Sequence, residues 1–381
     1  MTAAGTSLSA MADELLAAAL RGEPAPWPTS GSPDLPEEVL ARVRYHGVAV
    51  LLHERPQAMA DWPTAVRRAV RDLALQAAMW ELSHQQMLAR LLDGLAARDI
   101  RPLLLKGTAL AYGLYDNPAC RVRADSDLLV APAGLAACRA VLEAQGFRRE
   151  PDRGECTTHQ EAWTVTAAGG VRHHLDLHRR LSNAELLSTL FAWDELWAGR
   201  EPLPRLGPAA AGLGHVHALL LACLHRAIHR VSPYYSDGTA HFGGDRLVWL
   251  YDIHLLANAF RPDDWRAFAD LARQKGLAEV CREGLEMTTA RLGTACDRDA
   301  LAALAAPGQT EPAAAYVASR RLAQIVRDLG AVPGMRKRLL FLREMLVPPA
   351  DYLRMLYRHA QWQWLPWLYT RHVVDGLRRR R

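Results

Sequence analysis

Three acidic residues point most directly to chemistry. Asp125 and Asp127 lie two apart in Asp125-Ser-Asp-Leu-Leu-Val130, which reads as a strand. Side chains two apart on a strand share a face, so both carboxylates point the same way. Asp176 lies in Val171-Arg-His-His-Leu-Asp-Leu-His178, a second strand on which Leu175 and Leu177 face the other side. Carboxylates converging from adjacent strands repel one another, which raises their pKa values or recruits a cation. Mg²⁺ favours a few carboxylates plus phosphate oxygens, and two such ions can activate an attacking hydroxyl and stabilise a departing pyrophosphate.

Upstream, Lys106-Gly107-Thr108 follows the apolar run Pro102-Leu-Leu-Leu105 at a strand-to-helix turn. Glycine there lets backbone N–H groups approach a phosphate, and a helix N-terminus favours negative charge. Thr108 adds a hydroxyl and Lys106 a point charge. Arg121 and Arg123 add positive charge just before the aspartates, although Arg121 serves equally as a partner for an aspartate. His174, Asp176 and His178 share a strand face and suggest zinc, but no cysteine or further carboxylate at ligand spacing supports it. His225 and His229 are four apart on a helix and Asp252 lies on another; the set is compatible with metal ligation, but core packing and interhelical hydrogen bonds are the expected roles.

These residues need a scaffold. A short helix is expected over 9–20, then a turn-rich stretch from Gly22 to Pro36. A long helix is expected over 63–98, with Val66, Val70, Leu73, Leu75, Met79, Leu82, Met87, Leu91 and Leu95 forming one buried stripe. Residues 101–180 then read strand, helix, strand, helix and hairpin, with Gly169-Gly170 at the hairpin turn. Helices resume over 209–230, 246–259, 263–275, 279–291 and 314–329, with a loop over 305–314. Three parts are therefore expected: an N-terminal helical segment (1–100), an α/β core (101–180) and a C-terminal helical domain (181–381).

Composition bounds the function classes. The chain has 381 residues, half of them apolar, 23% charged and a formal charge of +5. That is ordinary for a globular protein and too mildly basic to indicate a nucleic-acid binder by itself. Six cysteines without a CxxC pair read as reduced thiols, and Met1–Ala10 lacks the pattern of a secretory signal, so a cytoplasmic location is expected. No apolar run reaches the length of a membrane span. Near the C-terminus, Trp362, Trp364, Trp367 and Tyr369 alternate with Arg371 and Arg378–Arg381. Such residues suit a membrane surface or an anionic partner, or a packed final helix with a basic tail.

The ordered set Leu105-Lys-Gly-Thr108, Asp125-Ser-Asp127-Leu and Asp176 resembles the nucleotidyltransferase superfamily of the DNA polymerase β type. Within it, Leu-Leu-Lys106-Gly-Thr-Ala-Leu-Ala, Arg121-Val-Arg-Ala-Asp125-Ser-Asp127-Leu-Leu-Val and His174-Leu-Asp176-Leu-His178 look closest to an uncharacterised bacterial nucleotidyltransferase family. The likeness extends to His225, His229 and Leu247-Val-Trp-Leu-Tyr-Asp252. The 18 positions from Gly107 to Asp125 exceed the usual superfamily gap but match the closer family, and Thr108 replaces a serine while keeping the hydroxyl.

The resemblance implies an α+β fold: a small mixed-sheet core flanked by N-terminal helices and a larger C-terminal helical domain, with the active site in the cleft between core and helices. It implies Mg-dependent transfer of a nucleoside monophosphate from an NTP to a hydroxyl-bearing acceptor, releasing pyrophosphate. Asp125 and Asp127 would hold two Mg²⁺ ions, and Asp176 would complete one metal site and help deprotonate the acceptor. Gly107, Thr108, Lys106 and Arg121 would bind the nucleotide, and Asp252 is a further candidate for holding nucleotide or acceptor. A small molecule, peptide, protein or RNA end would serve as acceptor. The alternatives are a catalytically inactive nucleotide-binding or regulatory protein, and an anionic-surface binding module acting through the basic C-terminus. A kinase is a weaker alternative, because no GxxxxGK[ST] loop is present.

Overall fold

The computed structural model describes residues 7–29, 32–167, 169–231, 234–236, 239–241, 244–306, 311–360 and 362–378. Helices α1 (Leu8–Leu20), α2 (Leu35–His46), α3 (Ala49–His53) and α4 (Thr64–Ala96) come first. The central part runs β1 (Leu103–Leu105), α5 (Lys106–Gly113), β2 (Asp125–Leu129), α6 (Leu135–Ala144), β3 (Arg148–Arg149), β4 (Gln160–Thr166) and β5 (Arg172–His178). Then follow α7 (Glu185–Ser188), α8 (Trp193–Ala198), β6 (Glu201–Pro202), β7 (Ala211–Gly212), α9 (His215–Val231), β8 (Tyr234–Ser236) and β9 (Thr239–His241). The remaining helices are α10 (Leu247–Ala259), α11 (Pro262–Gln274), α12 (Ala278–Leu292), α13 (Arg298–Ala305), α14 (Pro312–Val317), α15 (Arg321–Ala331), α16 (Met335–Leu346), α17 (Ala350–Leu356) and α18 (Leu365–Arg378).

The fold is α+β, with a mixed sheet of order β3-β4-β5-β2-β1-β7-β6 and a separate β8-β9 ribbon. β2 runs parallel to β5 and antiparallel to β1, and β4 and β5 form the expected hairpin. Gly169 and Gly170 turn that hairpin at φ of 88° and 81°, a region open to glycine.

Two apolar cores stabilise the fold. One packs α1–α3 and the start of α4 against α9–α13, through residues such as Leu16, Val39, Val66, Leu220, Ile253 and Phe268. The other packs the end of α4 and α6 on the sheet, through Leu88, Leu91, Leu128, Leu142, Trp163 and Leu175. Each such fully buried leucine contributes about 1.5–3 kcal/mol. Helix α4 therefore crosses from one core to the other, and the single buried stripe expected along it is corrected. Val66, Val70, Met87, Leu91 and Leu95 are buried, whereas Leu75, Met79 and Leu82 are exposed. Between the cores, the buried face of α4 carries polar Glu81 and His84, which serve the site.

Two helix expectations are also corrected. Residues 209–214 are not helical: Gly212 pairs in parallel with Leu104, extending the sheet. A Cβ at Gly212 would stand 3.1 Å from the Ala109 Cβ, so glycine permits this close approach. The helix expected over 314–329 is broken, because Arg320 is extended (φ −65°, ψ 153°) between α14 and α15. The break returns α15 against α14, where Gln324 donates to the Tyr316 carbonyl and the Tyr316 hydroxyl donates to Asp328 at 2.7 Å. Residues 307–310 of the expected loop lie outside the described residues, as do Met1–Thr6 and Arg379–Arg381.

Candidate active site

Strand pairing brings distant residues together. Parallel pairing of β2 with β5 sets Asp127 opposite Asp176 and Asp125 opposite His174. Antiparallel pairing of β1 with β2 sets Leu105 opposite Asp127, so the next residue, Lys106, emerges beside that carboxylate. Lys106 has a left-handed backbone at φ 48°, a conformation costing a non-glycine residue roughly 1 kcal/mol or more. The turn directs its ammonium to Asp127, with Nζ 2.6 Å from Oδ1. His178 Nε2 donates to the same oxygen at 2.8 Å. Gln160 Nε2 donates to Asp176 Oδ2 at 2.7 Å, and Asn183 steadies Gln160 by donating to its Oε1 at 2.8 Å.

The three carboxyls differ electrostatically. Burial would push Asp127 up, but the Lys106 ammonium and the His178 hydrogen bond outweigh it and hold the carboxyl well below the usual range. Asp125 is pushed up by desolvation and by Asp127. Asp176 is pushed well above the usual range by desolvation, then by Asp125 and Asp127. Lys106 thus balances one carboxylate, and the group as a whole favours further positive charge.

Beneath the Lys106 turn lies a buried ion pair. Arg121 Nε donates to Asp252 Oδ1 and Oδ2 at 2.8 and 2.9 Å, and the Tyr115 hydroxyl donates to Oδ1 at 2.8 Å. A Cβ on Gly107 would stand 3.1 Å from the Arg121 guanidinium carbon. Gly107 therefore lets α5 settle on this pair. Asp252, on α10, sits within the packing as the ion-pair partner of Arg121 and the acceptor for Tyr115, both of which lie in the connection between α5 and β2.

Thr108 is also turned inward. Its hydroxyl lies 2.7 Å from the Ser126 hydroxyl and accepts from Arg123 Nε at 3.0 Å. Ser126 meets His84 Nε2 at 2.6 Å, and Arg123 pairs with Glu81 at 2.8 Å. This network ties α4 to the back of β2 and fixes the strand that carries Asp125 and Asp127. Its members are buried and distant in sequence, and only Thr108 and Arg123 stood out beforehand.

The front of the site opens into a cleft of about 520 Å³. Its sheet side carries Lys106, Asp125, Asp127 and Asp176, and its helical side carries His225, His229 and Trp249. Residues of α15 and α16, including Gln324, Phe341 and Met345, close a further wall. His225 and His229 stack edge-on at 4.4 Å between ring centroids, and both rings touch Trp249. Burial, reinforced by His229 and Lys106, holds His225 well below the usual histidine range.

Asp127, Asp176 and His178 each offer a ligand atom, all within 4.8 Å of one another. Two carboxylates and an imidazole fit a divalent cation. Asp125, expected as a ligand, stands outside this set, one step along the same strand face. His178 takes a place beside the carboxylates that sequence reasoning gave only to a disfavoured zinc site. The signal was its two-residue spacing from Asp176.

A family model described as uncharacterised nucleotidyltransferase matches residues 32–293, more than two thirds of the chain. No curated protein matches the chain.

Proposed function

This chain belongs to the uncharacterised nucleotidyltransferase family, and from that membership we propose that it transfers a nucleoside monophosphate from an NTP to an acceptor hydroxyl. The observation that carries the reading is the in-register pair Asp127 and Asp176, beside Lys106 on a strand-to-helix turn, at the mouth of a cleft. In this reading the acceptor oxygen attacks the α-phosphorus, the bond from that phosphorus to the bridging oxygen breaks, and pyrophosphate leaves. Asp176 receives the acceptor proton, with Gln160 holding its other oxygen. Asp125, Asp127 and Asp176 would hold two Mg²⁺ ions, which would supply charge neutralisation for the triphosphate and lower the acceptor hydroxyl's pKa. His178 orients Asp127 or joins its metal site.

Lys106, which pairs with Asp127 in this structure, would supply a positive charge to the triphosphate. Gly107 and Thr108 meet the β- and γ-phosphates through backbone N–H groups at the start of α5, while the Thr108 hydroxyl stays with Ser126 and Arg123. Arg121 contributes positive potential from below, held by Asp252. Catalysis then rests on positioning and charge neutralisation.

The test uses purified protein, Mg²⁺ and each NTP labelled at the α- or γ-phosphate, with clarified host extract as acceptor source. Transfer of α-label with pyrophosphate release, absent from Asp125→Ala/Asp127→Ala, is the expected result. Transfer of γ-label would make the protein a kinase and overturn the mechanism. Nucleotide binding without transfer of either label, across acceptor fractions, would favour a regulatory protein that kept the fold.

A further inference from the structure

Charge is unevenly distributed along this chain. Residues 320–381 hold 14 Lys/Arg against 4 Asp/Glu, a formal +10, while residues 1–319 hold 32 against 37, a formal −5. The basic part also carries apolar surface that is exposed among the described residues. On α16, Met335, Leu339, Leu342 and Leu346 recur at helical spacing and are 37% to 68% exposed, followed by exposed Val347. On α15, Leu322 and Val326 repeat the pattern. Scattered exposed leucines are ordinary, but a stripe along one helix face marks an interaction surface.

The surroundings of the stripe select its partner. By helical periodicity, exposed Arg336 and Arg343 flank it on one side, while half-buried Arg338 on the other donates to the Val332 and Gly330 carbonyls. The opposite face of α16 is occupied: Phe341 and Met345 line the cleft, and Glu344 accepts backbone N–H groups of Cys156 and Thr157 at 3.0 Å. Trp362 and Trp364, 63% and 68% exposed, precede α18, which packs on α16 where His372 meets the Met345 carbonyl at 3.3 Å. An apolar stripe bordered by arginines, with exposed tryptophans on a neighbouring element, matches a helix lying in the headgroup region of an anionic bilayer. A nucleic acid would engage the charge but leave the leucines in water.

We propose that α15, α16 and the Trp362–Trp364 segment form a docking surface for an anionic membrane, with α16 standing between the lipid headgroups and the cleft. This surface lies on residues 320–378, beyond the family match, and stands whether or not the nucleotidyl-transfer reading holds.

The test is co-sedimentation of the full chain with vesicles of phosphatidylcholine alone or mixed with phosphatidylglycerol, at low and high salt. The expected result is binding to the mixed vesicles, weakened by salt, and about tenfold weaker in both Leu339→Ser/Leu342→Ser and Arg336→Glu/Arg343→Glu. These side chains are exposed, so circular dichroism and thermal midpoint should stay unchanged. Failure to bind either vesicle would overturn the proposal. So would binding unaffected by the leucine variant, which would indicate a general polyanion site. Dimerisation of the wild type abolished by Leu339→Ser/Leu342→Ser, without vesicle binding, would assign the stripe to a second copy instead.

Discussion

The Arg121–Asp252 pair beneath the Lys106 turn offers the sharpest test of how this site is built. Both side chains are only 6% exposed, and three hydrogen bonds converge on the carboxylate. Removing one partner leaves the other charge buried and uncompensated, which costs about 3–5 kcal/mol. With an unfolding entropy of roughly 2.1 cal/mol/K per residue, Asp252→Ala should lower the thermal midpoint by about 4–6 °C if the chain unfolds cooperatively. Burial pushes the Asp252 carboxyl up despite Arg121 and Tyr115, so their attraction does not fully offset desolvation. The double variant Arg121→Met/Asp252→Leu should therefore return to within about 1 kcal/mol of the wild type. Urea unfolding of the wild type, both single variants and the double variant measures this directly. A single variant losing less than about 1 kcal/mol, or a double variant no more stable than Asp252→Ala, would refute the reasoning. The stable double variant also separates roles: an unchanged KM for NTP would make Arg121 a structural residue, and a raised KM would make it a nucleotide contact.

Other consequences are open to measurement. Asp127→Asn should lower α-label transfer by about 10²–10³-fold while the protein stays folded, since it removes charge at the position where Lys106 and His178 converge. Gly107→Ala should cost about 1–3 kcal/mol by pressing on the Arg121 guanidinium, with transfer falling alongside, checked by thermal midpoint and label transfer. Stability should fall as pH drops through about 6.5, because buried neutral histidines take up protons only on unfolding. Burial lowers His46 to about 4 despite its hydrogen bond to Asp13, and its Nδ1 accepts the Leu247 N–H at 3.0 Å. That residue alone should cost about 2 kcal/mol between pH 7.5 and 5, and urea unfolding of His46→Gln should show a shallower pH dependence by that amount.

Strand alternation placed Asp125 and Asp127 on one face from the sequence alone, and Asp176 on another strand, because a period of two is a local property of the backbone. Local rules equally exposed the Gly169-Gly170 hairpin and the mixed α/β order of the centre. They failed where tertiary structure overrode local preference. Leu75, Met79 and Leu82 have helical spacing but face water, because α4 changes cores midway. The segment 209–214 joins the sheet because an edge beside β1 was open to it.

The site itself was decided in three dimensions. Nothing local pairs Arg121 with Asp252, 131 positions away, or His84 with Ser126, 42 positions away. The parallel register that sets Asp127 against Asp176, and the left-handed turn that aims Lys106 at them, arise only once the strands pair. The sequence supplied the kinds of charge and their strand faces. Long-range packing supplied their distances, and electrostatic function depends on distance.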